Sequence, residues 1–167
     1  RTDDNPDVAF RVISDHIRAV AFSIADGQLP SNTGEGYVIR RILRRAIRYG
    51  YSFLDLNKPF MHALVPTLAG QMGDAFPELK AQQQLIERVI LEEEESFLRT
   101  LAKGIERLEA RLDEFKSTKI LPGNVVFELY DTFGFPVDLT ALMAGEQGVE
   151  VDEAGFEAAM EATKARS

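Results

Sequence analysis

Between Val38 and Arg48 the chain reads V-I-R-R-I-L-R-R-A-I-R, and at about 100° per residue its two chemistries separate completely. Val38, Ile39, Ile42, Leu43, Ala46 and Ile47 fall in one half of the helical circumference, and Arg40, Arg41, Arg44, Arg45 and Arg48 in the other. Such a segment folds as a helix with one half in a protein core, and the pattern predicts five guanidinium groups standing together on a single surface. Arginines spaced i, i+4, i+8 repel one another by a few tenths of a kcal/mol per pair. An anion should therefore lie against the face: either acidic residues of the same protein, or a phosphate backbone, which planar guanidinium forks grip well. Formal net charge is −8, and with these five arginines set aside −8 becomes −13. The basic face is a local patch on an acidic body. Local distribution, not net charge, governs the field at a surface, so nucleic acid stays in play.

The remaining pattern is helical throughout. Asn5-Pro6 predicts a helix start, followed by apolar residues at Val12, Ile13, Ile17, Val20, Ala21 and Ile24, with an end near Ala25. Asp15 and Arg18 read as an intrahelical pair. Leu29 to Gly34 is a turn-rich loop feeding the basic helix from about Gly36, with Gly50 expected just past its end. Pro59 opens a helix to about Met72 that Pro66 should kink, and Pro77 opens the longest element, Glu78 to about Phe115. Within it Leu101, Ile105, Leu108, Leu112 and Phe115 alternate steps of four and three, so it should lie along a partner helix. Gly104 reads as a weak point in it, and Glu92 to Glu95 as a solvated face. Short helices are predicted over Val125–Asp131, Asp138–Gly145 and Glu153–Arg166, the last capped by Asp152. No stretch alternates with period two. The expected fold is all-α: a helical bundle with one long central helix and short C-terminal helices, residues 1–167 forming one domain with possible subdomains 1–75 and 76–167.

Several function classes drop out. No apolar run approaches the ~20 residues that cross a bilayer, and there is no signal peptide, so no membrane association is expected and cytoplasmic location is the default. The sequence has no cysteine and two separated histidines, His16 and His62, which read as structural; no metal site and no catalytic constellation are expected. A start at Arg1 without methionine reads as a piece of something longer.

Four blocks then carry a resemblance: R-V-I-S-D-H-I-R-A-V-A-F-S-I-A-D-G at Arg11 to Gly27, L-P-S-N-T-G-E-G-Y-V-I-R-R-I-L-R-R-A-I-R-Y-G at Leu29 to Gly50, F-E-L-Y-D-T-F-G-F-P-V-D-L-T at Phe127 to Thr140, and V-D-E-A-G-F-E-A-A-M-E at Val151 to Glu161. In order and spacing they resemble the alanyl-tRNA synthetases, specifically the helical middle region that follows the class II aminoacylation domain. Tyr51 to Lys119 is similar only in helical character. The resemblance implies a partner, the acceptor stem of tRNA for alanine, whose G·U wobble pair is the identity signal. In A-form RNA the minor groove is the accessible one, and the wobble leaves a guanine 2-amino group there without a Watson–Crick partner. The family's readers match Asn32 in P-S-N and Asp131 in L-Y-D-T. Arg40, Arg41, Arg44, Arg45 and Arg48 are the expected phosphate contacts.

The same resemblance implies a parent enzyme that attaches alanine to tRNA using ATP and Mg²⁺, with zinc in an editing domain. The catalytic and editing domains are absent from this chain and are its expected partners. No cofactor, no catalysis and no DNA binding are expected of this piece. Two other readings stand beside it: a structural helical spacer that docks the catalytic domain without touching RNA, and a helical enzyme using paired carboxylates, for which Glu92 to Glu95 supplies no convergent base.

Overall fold

The computed structural model describes residues 5–166; Arg1 and Ser167, which prompted the reading of a piece, lie outside them. The order of elements is α1 (Asn5–Ala25), α2 (Gly34–Leu54), a 3-10 turn (His62–Leu64), α3 (Val65–Met72), α4 (Pro77–Ala81), α5 (Gln83–Glu114), β1 (Ile120–Leu121), α6 (Gly123–Phe133), α7 (Val137–Gly145), β2 (Glu150–Val151) and α8 (Glu153–Arg166). The fold is all-α, as expected; among the described residues it departs from that class in a parallel pair of two-residue strands, Ile120 opposite Glu150 and Leu121 opposite Val151, too short to leave an alternating signature.

The chain packs as two units that divide after Leu98, inside α5. The division falls there, not near residue 75, because the first half of α5 commits Ile86, Ile90 and Phe97 to the core of the first unit. In that unit α1 buries Ala9, Ile13, Ile17, Val20, Ala21 and Ile24, and α2 packs on it with Ile39, Leu43, Ala46 and Ile47. Gly50 does not end α2. It sits inside the helix, where an added Cβ would collide with the Phe60 ring, and the left-handed residue that closes the helix is Asp55, φ 57°. A residue read as a stop is thus a close-packing site. Pro66 likewise does not kink a long helix; it lies in the first turn of α3, where its missing N–H costs nothing. The expected helix from Glu78 to Phe115 is interrupted at Gln82, φ −104° and ψ 9°, leaving α5 with 32 residues, about 48 Å of rise.

In the second unit α5 finds its partner helix. Thr100 Oγ1 donates to the Phe133 carbonyl at 2.6 Å, and Arg107 Nε donates to Glu128 Oε1 at 2.7 Å, so α5 and α6 run antiparallel. Leu101, Leu108 and Leu112 are buried along that seam. Gly104 is buried as well, because the Phe135 ring lies where its Cβ would be. α6 closes on Gly134, φ 72°, with Phe135 N–H bonded to the Leu129 carbonyl. α8 approaches α6 where Gly123 meets Gly155 backbone to backbone. Its expected cap is present: Asp152 Oδ1 accepts from Gly155 N–H at 3.0 Å.

Candidate nucleic-acid interface

The loop before α2 is built to hold Asn32. Ser31 N–H donates to the Gly36 carbonyl at 3.0 Å, and Ser31 Oγ donates to the Thr33 carbonyl at 2.9 Å. Gly36 is buried under this loop; a Cβ there would collide with Ser31 Oγ and the Leu29 carbonyl. Gly34, at φ 60°, supplies the left-handed residue that turns the loop into the helix. Asn32 therefore stands exposed at the N-terminal edge of α2. Its Oδ1 accepts a hydrogen bond from Arg40 Nη1 at 2.5 Å.

The arginine face is not one open surface, and that expectation is corrected. Arg44 and Arg48 are 7% and 4% exposed, whereas Arg40, Arg41 and Arg45 are half-buried. The anion against the face comes from α5. Glu93 receives Arg40 Nε at 2.6 Å and Nη2 at 3.3 Å, and Arg44 Nε at 3.0 Å. Arg44 also lies over the Phe97 ring at 5.0 Å, and Arg48 over the Phe53 and Tyr49 rings at 4.9 and 5.4 Å. Aromatic faces attract guanidinium groups and let them leave water at reduced cost. Burial holds the Arg44 guanidinium below its ordinary pKa, with Glu93 opposing that shift.

The reading of Glu92 to Glu95 as a solvated face is corrected with it. Glu92 and Glu95 are exposed, but Glu93 is 7% and Glu94 0% exposed. Glu94 accepts from the backbone N–H groups of Phe60, Met61 and His62 at 2.8 to 2.9 Å, with His62 Nδ1 at 3.4 Å. Its carboxylate thereby anchors the start of the 3-10 turn, where free N–H groups gather. The signal was present in the sequence: Ile86, Ile90, Glu93 and Phe97 step by four, three and four, which places Glu93 on the core-facing stripe.

Asp131 belongs to the second unit, in the last turn of α6. It is exposed, and its carboxylate has no hydrogen-bond or ion-pair partner among the described residues. A carboxylate there is opposed by the negative end of the helix dipole, at a cost of about 0.3–1 kcal/mol. Among the other sequence readings, Arg18 Nη2 does donate to Asp15 Oδ1 at 2.7 Å. Burial first, and the positive charge of Arg45 second, lower the pKa of His16, with Asp15 opposing. Among the described residues no group of three His, Cys, Asp or Glu side chains could hold a metal ion, and no helix is long and apolar enough to cross a membrane.

The first unit thus presents an exposed amide on a braced loop beside arginines half-open to solvent, and the second unit, taken by itself, presents an exposed carboxylate at the end of α6. The family model for tRNA synthetases class II (A) matches residues 1–167, and the chain belongs to that family. Within it the similar proteins are alanine–tRNA ligases: 64% identity over 160 residues with that of Christiangramia forsetii, covering 96% of this chain and 18% of the relative, and 59% over 167 residues with that of Porphyromonas gingivalis, covering 99% and 19%. The ligase of Bacteroides thetaiotaomicron is 55% identical over 167 residues, again 99% and 19%. The chain thus spans about one fifth of the length of these relatives.

Proposed function

We propose that this chain is the acceptor-stem-binding part of an alanine–tRNA ligase, and that it reads a G·U pair from the minor groove through Asn32 and Asp131. The observation that carries this reading is the held state of Asn32. An exposed side chain ordinarily keeps its rotamer freedom, and fixing one costs entropy without a folding return; a group that reads a base edge needs that fixation in advance. Asp131 supports it in a second way, since its carboxylate costs the α6 terminus stability and is a natural acceptor for a guanine 2-amino group. Arg41 and Arg45, half-open to solvent, supply phosphate affinity without sequence information, while Arg44 and Arg48 spend their charge inside the protein. The parent protein forms the alanine ester on tRNA at the expense of ATP, which Mg²⁺ would assist; this chain supplies recognition and no chemical step.

The test is binding of acceptor-stem RNA hairpins carrying G·U or G·C. A good base-edge contact discriminates by about 1–3 kcal/mol. Asp131→Ala and Asn32→Ala should each bring the two affinities together, with little effect on the G·C hairpin. Variants that keep the full preference would contradict the reading. Burial of Arg44 and Arg48 against Glu93, Phe97, Tyr49 and Phe53 favours one other role for part of the face, that of internal structure, and on a purely structural reading neither hairpin binds at low salt.

A further inference from the structure

We infer that Arg40 is a positioning residue for Asn32, held in turn by Glu93, and not a phosphate contact; the inference rests on the reading of Asn32 as a base reader. Three guanidinium nitrogens are already engaged. Nε and Nη2 fork onto the Glu93 carboxylate at 2.6 and 3.3 Å, and Nη1 donates to Asn32 Oδ1 at 2.5 Å. Glu93 is itself fixed, since it is 7% exposed and also ion-paired to Arg44 Nη2 at 2.9 Å. The order α5 carboxylate, α2 guanidinium, loop amide therefore runs from the core of the first unit outward to solvent.

The chemistry of the last link sets a polarity. A guanidinium has five N–H donors and no acceptor, so only the carboxamide oxygen of Asn32 can face it. The Asn32 amide NH₂ is left to point away from Arg40, and Asn32 offers donors to whatever lies against the loop. The bond of Oδ1 to a cation also polarises the amide and strengthens those donors. A bidentate grip on phosphate needs an open edge of the guanidinium, and Arg40 has committed its Nε–Nη2 edge to Glu93 and one N–H of Nη1 to Asn32, three of its five donors. Lysine cannot replace this arrangement: a single ammonium lacks the fork that grips a carboxylate on one edge and an amide on the other. It does keep the positive charge, which separates positioning from plain electrostatic attraction.

The experiment uses this chain with Arg40→Lys and two readouts. Without RNA, ¹⁵N relaxation of the Asn32 side-chain amide should report an ordered group in the wild type, loosened to that of a free exposed side chain in Arg40→Lys. With the G·U and G·C hairpins, Arg40→Lys should lower the wild-type preference for G·U at least about fivefold, the loss falling on the G·U complex, and the salt dependence of binding should keep its slope because the charge is retained. A slope preserved together with an undiminished preference would overturn the proposal, since a charge at residue 40 would then suffice. An Asn32 amide equally mobile in both proteins would overturn it as well. A wild type that fails to distinguish the hairpins would remove the base-reading role of Asn32, and this inference with it; discrimination kept in both proteins removes only the role of Arg40.

Discussion

Glu94 places a fully buried carboxylate against three backbone N–H groups, and each of its oxygens is an acceptor that no carboxamide can fully replace. In Glu94→Gln one oxygen becomes an NH₂ that faces donors, so the expected loss is about 1–3 kcal/mol, read from urea unfolding. His16 makes a pH prediction. Its folded pKa lies below the ordinary 6.5, because burial and the neighbouring Arg45 both oppose protonation. The unfolded chain then binds the proton more readily, so this contribution is intact above pH 6.5 and is lost as pH falls through that value toward the folded pKa. Thermal unfolding between pH 7.5 and 5 should show the decline, and His16→Gln should flatten it. At this scale the sequence named Asn32 and Asp131 only through a resemblance; the contact of Arg40 with Asn32 was invisible, because it joins a loop to a helix position eight residues on through a rotamer that Glu93 selects.

Helices here are limited by what packs on them more than by their propensities. Gly104 in isolation is a flaw that alanine should repair by about 1 kcal/mol. With Phe135 fully buried against it, Gly104→Ala forces a core ring to move, and overpacking of that kind costs about 1–3 kcal/mol. Gly70 is the contrast. It lies in α3 with open space where a Cβ would go, so Gly70→Ala should stabilise by about 0.5–1 kcal/mol in the same denaturant assay. At the other end of the argument, Asp131→Asn relieves the α6 dipole conflict and should leave stability unchanged or raised by a few tenths of a kcal/mol, while discrimination between RNA hairpins falls. Periodicity recovered the face of α1 and the seam of α5, and residue type at a helix start recovered the cap of α8. Gly50 and Gly104 were misjudged for one reason: each is explained by a ring elsewhere in the sequence, Phe60 or Phe135, of which local pattern carries no record, whereas the burial of Glu93 was written in the four-three-four spacing of Ile86, Ile90, Glu93 and Phe97.

Over the whole chain, the all-α class was legible because every core stripe repeats at helical spacing, and the basic face was legible as a segregation of charge. What the segregation left open was where the charges go. Residues read as one surface divide into Arg44 and Arg48, withdrawn among Glu93 and aromatic rings, Arg40, spent on Glu93 and Asn32, and Arg41 and Arg45, which keep part of their surface in solvent. An acidic chain with so small an open basic patch should bind RNA through few phosphates, and counterion release makes that number measurable. The decisive experiment is a titration of the wild-type chain against G·U and G·C acceptor-stem hairpins across a range of salt. The G·U hairpin should bind more tightly at every salt concentration, and both hairpins should give a log K against log salt slope of about −1 to −3, the value for one to three neutralised phosphates. Equal affinity for the two hairpins, or no complex at low salt, would rule out base reading by this chain.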